Sequence, residues 1–183
     1  GKPRGLHDYG VEMGLDIVRL LDHLEIEKAH ILGYSMGARV VGGVMPNHQD
    51  RFQTVILGGF SPARNWSKED QDRMETRANK ILSNRPKFML DRGLDFEAMA
   101  SLVLSFSELA VSDDKLASTL TPTLAIVGSE DRNFERVLDL EVIIPNLEIV
   151  VIPGATHSGK TGAYLRPEFV TAVRKFLQQN QIG

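Results

Sequence analysis

Ala29-His30-Ile31-Leu32-Gly33-Tyr34-Ser35-Met36-Gly37 is the stretch on which the reading of this chain turns. Ala29 to Tyr34 is a short apolar run closed by a glycine, too short for a helix and β-branched enough for a buried strand. From Met36 the spacing changes, and Ala38, Val41, Val44 and Met45 recur at helical intervals until Pro46 stops them. Ser35 therefore stands on the turn from strand to helix, inside a G-x-S-x-G pentapeptide running from Gly33 to Gly37. Such a turn projects the hydroxyl out of the sheet, with glycines on both sides because side chains there would clash. The following helix points unpaired backbone N–H groups, that of Met36 first, at any oxyanion formed beside Ser35.

The pattern continues outward as alternating elements. Upstream, Val11, Met13, Leu15, Val18, Leu21 and Leu24 predict a helix capped by Asp8. Downstream, Thr54 to Gly58, Thr123 to Gly128 and Glu148 to Gly154 read as strands, Phe134 to Val142 and Pro167 to Gln178 as helices. Residues 61–120 differ. Ser67 and Asp70 form a capping-box pattern before a polar helix, and Phe96, Met99, Val103, Phe106 and Ala110 mark a more apolar one, with no strand between. The expected architecture is α/β: a mostly parallel sheet with helices on both faces, one domain over 1–183, with a small helical lid insertion at 61–120.

A serine hydroxyl is a weak nucleophile and needs a base, and the base needs a carboxylate to fix its tautomer. Asp131 follows the strand at Thr123 to Gly128, and His157 follows the strand at Glu148 to Ile152. Ser35, Asp131 and His157 thus all lie beyond carboxyl ends of parallel strands and are expected to face one crevice. Their order, Ser then Asp then His, is the one this kind of turn accompanies.

Three blocks, Ala29 to Gly37, Pro122 to Asp131 and Val151 to His157, resemble those of the α/β-hydrolase family. The first helix, with Asp16, Leu20, Leu21 and Leu24, resembles the helix before that family's nucleophile strand. The resemblance implies Ser35 as nucleophile, His157 as general base, Asp131 as its orienter and the Met36 N–H as one oxyanion donor. Glu130 is the substitute for Asp131; Gly58-Gly59-Phe60-Ser61 offers no carboxylate after the neighbouring strand. Relatives that open epoxides or remove halide carry aspartate where Ser35 stands. The expected activity is hydrolysis of small carboxylic esters, with no cofactor and no metal. Tyr34, Trp66 and Phe106 are the candidate substrate-binding side chains. Met74, Phe88, Met89, Phe96 and Met99 in the insertion either line an acyl pocket or pack as core.

The resemblance starts late. Family members usually begin with several strands and a His-Gly loop that supplies a second oxyanion donor, and this sequence opens after their place. Loss of one such donor costs about 10² to 10³ in turnover. The strand at Ala29 to Tyr34 is then expected at a sheet edge, which invites pairing, and a homo-oligomer through that edge is expected. An N-terminal segment or a neighbouring subunit would supply the missing donor.

Composition narrows the partners. With 21 basic and 24 acidic residues among 183, the net charge of -3 gives no footprint for nucleic acid. No apolar run is long enough for a membrane span, and Arg4, Asp8, Glu12 and Asp16 occupy the place of a signal peptide's apolar core. The expected location is cytoplasmic by default. The absence of cysteine excludes disulfides and thiolate chemistry. His7, His23, His30 and His48 read as surface or packing residues, Asp113-Asp114 and Lys68 to Arg73 as solvated surface. Two rivals are carried forward. Gly154 to Thr161 matches the phosphate-binding pattern G-x-x-x-x-G-K-[ST], although Pro167 interrupts the helix it should feed. The chain is alternatively a scaffold, or a folded fragment of a larger hydrolase, that keeps the fold without catalysis; separately, Ser35 and Asp131 each also read as helix-capping residues.

Overall fold

The computed structural model describes residues 9–85 and 87–181; Asp8 and His7 lie outside them, as does the side chain of Phe88. Four strands form one parallel sheet: β1 (Ala29–Tyr34), β2 (Phe52–Gly58), β5 (Thr123–Gly128) and β6 (Leu147–Ile152), in that spatial order. Two short strands elsewhere, β3 (Ala63–Arg64) and β4 (Ala110–Val111), pair separately. The helices are α1 (Val11–His23), α2 (Met36–Val44), α3 (Lys68–Ser83), α4 (Lys87–Leu90), α5 (Phe96–Leu104), α6 (Asp113–Ala117), α7 (Phe134–Leu138) and α8 (Pro167–Gln179).

The central strands are largely apolar because both faces are covered. Register places Ile56 beside Leu124 and Leu57 beside Ala125, so alternate residues of β2 and β5 look to opposite sides. Ile56, Leu124, Ile126 and Ile152 pack under Phe169 and Phe176 of α8. Val55 and Leu57 pack under Ala38, Val41 and Val44 of α2 and Leu21 of α1. Val137 of α7 closes over Ala125 and Val127. These two layers account for the α/β architecture with helices on both faces.

β1 is an outer strand of this sheet among the described residues, and its Leu32 is 45% exposed where Ile56 on the next strand is buried. The first helix is entered through Gly10 at a φ of 62°, and its expected cap, Asp8, lies outside the described residues. One expectation needs correction. The insertion is not wholly helical, because Ala63–Arg64 and Ala110–Val111 form a parallel clasp that ties its two ends together. Its capping box is present: the Asp70 N–H donates to Ser67 Oγ and the Ser67 N–H to Asp70 Oδ2, both at 3.1 Å. Because the segment leaves from the carboxyl end of β2 and returns to the adjacent β5, it lies on the side of the sheet where Ser35 sits.

Candidate active site

Ser35 adopts φ 54°, ψ −110°, a left-handed conformation that costs a non-glycine residue about 1–3 kcal/mol. The strand–helix junction imposes it: the Ser35 N–H donates to the Gly58 carbonyl at 2.8 Å, and α2 begins at the next residue. Gly33 makes the close approach possible, since a Cβ there would lie 2.3 Å from the Gly37 carbonyl carbon. Gly37 does not share that role, for a Cβ there would meet nothing beyond its own helix. The expectation that both glycines avoid clashes holds for the first alone. Ser35 Oγ makes no capping bond to α2, so its hydroxyl is free for another partner.

That partner is His157, whose Nε2 lies 2.8 Å from Ser35 Oγ. On the other side of the ring, Nδ1 lies 2.8 Å from Asp131 Oδ2, and the Asp131 side chain is fully buried. An Nδ1–H donated to Asp131 leaves Nε2 as the acceptor facing the hydroxyl. The structure therefore brings all three expected residues into one chain of hydrogen bonds. Asp131 does not cap the following helix; Asn133 occupies that position. Glu130 is exposed, and the carboxylate beside the ring is that of Asp131.

Sequence reasoning missed Asn133. It is buried, and its amide Nδ2 donates to Asp131 Oδ1 and to the Gly59 carbonyl, both at 3.0 Å. Its backbone N–H adds a second bond to Asp131 Oδ1 at 2.9 Å. With Oδ1 so occupied, Oδ2 is left to the histidine. The Asn133 amide also lies 3.2 Å from His157 Nδ1, and with a proton on Nδ1 those two donors merely abut. A polar residue two places after the aspartate was the available signal.

The loop bearing His157 is tied from several directions. Gly154 N–H donates to Ser129 Oγ, Glu130 N–H to the Ala155 carbonyl, and Ala163 N–H to the Thr156 carbonyl. Tyr34 Oη donates to the His157 carbonyl at 2.6 Å, and its ring packs edge-on against Tyr164 and Phe169. Burial, and then the nearby Asp131 charge, push the Tyr34 hydroxyl up to about 12. Tyr34 thus sits behind the histidine and does not line the cavity at Ser35, contrary to its expected place on the substrate side. Gly154 to Thr161 is this histidine loop, and the helix a phosphate-binding loop would feed starts only at Pro167. The nucleotide-binding reading is corrected accordingly.

A cavity of about 250 Å³ opens at Ser35. Met36 and Phe106 line it, as do Met99, Leu102 and Val103 of α5. Met36 is the first residue of α2, so its N–H has no acceptor within the helix. Trp66 lines an adjoining cavity of about 400 Å³ that shares Arg39 and Phe60 with the first. The other insertion side chains divide: Met74 borders that second cavity, whereas Phe96 is buried in packing. No group of residues suited to a metal ion occurs among the described residues, and no helix there is long and apolar enough to cross a membrane.

No family model matches the chain. It is 28% identical over 169 residues to the dihydrolipoyllysine-residue acetyltransferase component of the acetoin cleaving system of Pseudomonas putida, covering 80% of this chain and 45% of that protein. The chain spans less than half the length of the curated relatives it matches. A thermophilic esterase from Thermogutta terrifontis, solved with malate bound, superposes with a TM-score of 0.77 at 25% identity, over 93% of this chain and 72% of that one. The enol-lactonase of Burkholderia xenovorans LB400 superposes at 0.68 with 21% identity, over 96% and 75%. The chain has the α/β-hydrolase fold of these solved structures and spans about three quarters of their length.

Proposed function

We propose that the protein is a serine hydrolase that cleaves small carboxylic esters through an acyl-Ser35 intermediate. The observation that carries this reading is the hydrogen-bonded series from Ser35 Oγ through His157 to buried Asp131, at the mouth of a cavity with an apolar wall. In acylation, the Oγ–carbon bond forms as the Oγ proton passes to His157 Nε2. The ester C–O bond then breaks, and the same proton goes to the departing alkoxide. Water enters, gives its proton to Nε2 and attacks the acyl carbon, releasing the acid and regenerating Ser35. Asp131 stabilises the imidazolium formed in each half, and the Met36 N–H donates to the oxyanion. These steps call on no cofactor.

The test pairs the protein with Ser35→Ala. A fluorophosphonate adduct on Ser35, with turnover of p-nitrophenyl esters lost in the variant, is the expected result. A folded protein that forms no adduct and turns over no ester is the scaffold instead. The reading also includes a homo-oligomer through the open edge of β1, where His30 and Leu32 are exposed. A strictly monomeric mass in light scattering at micromolar concentration sinks that part alone.

A further inference from the structure

The cavity at Ser35 has an apolar wall and a cationic one. Arg39, Arg77 and Arg132 line it, and no carboxylate does. The adjoining cavity adds Arg73 and Arg136 against a single acid, Asp70. That acid is already engaged by Ser67 and by Arg73. Arg39, Arg77, Arg132 and Arg136 form no ion pair among the described residues. This excess stands in a chain whose net charge is -3, so general basicity does not explain it.

Arg39 is the focus. Its guanidinium lies between two aromatic rings, 4.6 Å from the centre of Phe60 and 4.5 Å from that of Phe106. Ring faces attract a cation but accept none of its in-plane N–H bonds, and Nη1 is buried without a hydrogen-bond partner among the described residues. Burial first, and then the neighbouring Arg77 and Arg136, pull the group down to about 10. The two ring contacts restrain the guanidinium without using its N–H fork, the group with which arginine binds a carboxylate through two parallel bonds.

Arg39 lies one turn after Ser35 on α2, its N–H donating to the Ser35 carbonyl, and both residues line the one cavity. Met99, Leu102 and Val103 line the same cavity and offer contacts to the methylenes of an acyl chain.

We infer that the cleft is built for esters whose acyl chain ends in a carboxylate, held by Arg39 with Arg77 and Arg132 while the ester carbonyl lies at Ser35. The inference rests on the proposed hydrolase reading for its chemistry, but the anion site has its own readout. The guanidinium takes part in no bond-making step. It fixes the far end of the substrate and sets which acyl group reaches the serine.

The experiment compares kcat/KM for mono-p-nitrophenyl glutarate and p-nitrophenyl valerate, esters of similar length that differ in the terminal charge. The expected ratio is at least about tenfold in favour of the anionic ester, the scale on which an interacting site rejects an analogue lacking its partner. It should collapse toward one in Arg39→Met, and fall by a few-fold in Arg77→Gln, a change at an exposed position. In parallel, calorimetry of Ser35→Ala with glutarate should show millimolar or tighter binding that the added Arg77→Gln weakens. A ratio of one or below in the wild-type protein overturns the inference and leaves the hydrolase reading standing. Glutarate binding without turnover of either ester sinks the hydrolase reading and keeps the anion site. Absence of glutarate binding overturns the site whatever the kinetics show.

Discussion

The sheet and the insertion solve different problems with different kinds of residue. Ser35, Asp131 and His157 come from the carboxyl ends of β1, β5 and β6, each fixed by backbone bonds that leave its side chain one direction to point. The insertion meets them with α3 and α5, which contribute the flexible side chains of Arg77, Met99 and Leu102 beside the stiffer Ile81 and Val103. In the proposed reading the chemistry sits on the sheet, while selection is shared between the insertion and Arg39 and Arg132, which lie outside it. Variants on the sheet should therefore remove activity or folding outright, whereas those in the insertion should shift preference and local stability.

The strongest way to break this contrast is Asp131→Asn. An amide in place of the carboxylate favours the wrong histidine tautomer, and kcat should fall by about 10⁴, or roughly 5 kcal/mol of transition-state stabilisation, with only a small change in melting temperature. A loss within a factor of ten in a steady-state ester assay would mean that Asn133, not Asp131, orients His157. Next comes Gly33→Ala. Its Cβ would collide with backbone rather than with a movable side chain, so we expect more than about 3 kcal/mol lost in denaturant melts, above the usual range for overpacking. Gly37→Ala should change stability by less than about 1 kcal/mol, because the position is helical and open.

That pair of glycines shows what the sequence made legible. The existence of the four sheet strands, Ser35 on its turn, and Asp131 and His157 past their strands could all be read because each depends on local sequence: short apolar β-branched runs for strands, a period of 3.6 for helices and a fixed pentapeptide at the turn; the bounds of β2 and β6 differ from the reading by one or two residues. Which glycine matters could not be read, because the collision at Gly33 is with a residue placed by the tertiary turn. Tyr34 was misplaced for the same reason. Alternation along β1 puts its ring on the α8 side of the sheet, against Phe169, and only the fold says that the cavity is elsewhere. Asn133 and Arg39 were invisible as site residues because asparagine near a turn and arginine on a helix have ordinary surface explanations. Their roles appear only when Asp131 Oδ1 and the two phenylalanine rings are in place.

Asn133→Ala sharpens the comparison at intermediate strength. It strands the Gly59 carbonyl and removes one of the two bonds from Asn133 to Asp131 Oδ1, while the backbone N–H bond survives. A loss of about 2 kcal/mol in stability is expected, in the range for a buried group left unsatisfied. A stability change with kcat intact would show that Asp131 is held well enough by the backbone.

The smallest effect belongs to the insertion. Ser67→Ala removes the N-cap of α3 and should cost about 1 kcal/mol. The cap is also sensitive to pH, because Asp70 is held below its usual range, chiefly by the Ser67 hydroxyl and further by the Ser67 N–H and Arg73. A carboxylate with a lowered folded-state value contributes its stability above the unfolded value of 3.8 and loses it as pH falls through the lower folded one. Acidification should accordingly loosen the start of α3 before it disturbs the sheet. Hydrogen exchange resolved by peptide should show faster exchange at residues 68–75 near pH 3 than at pH 7, once intrinsic rates are corrected, with β2 and β5 still protected. Uniform loosening of both regions would mean that insertion and sheet open as one unit, and that the division of roles between sheet and insertion does not extend to their stability.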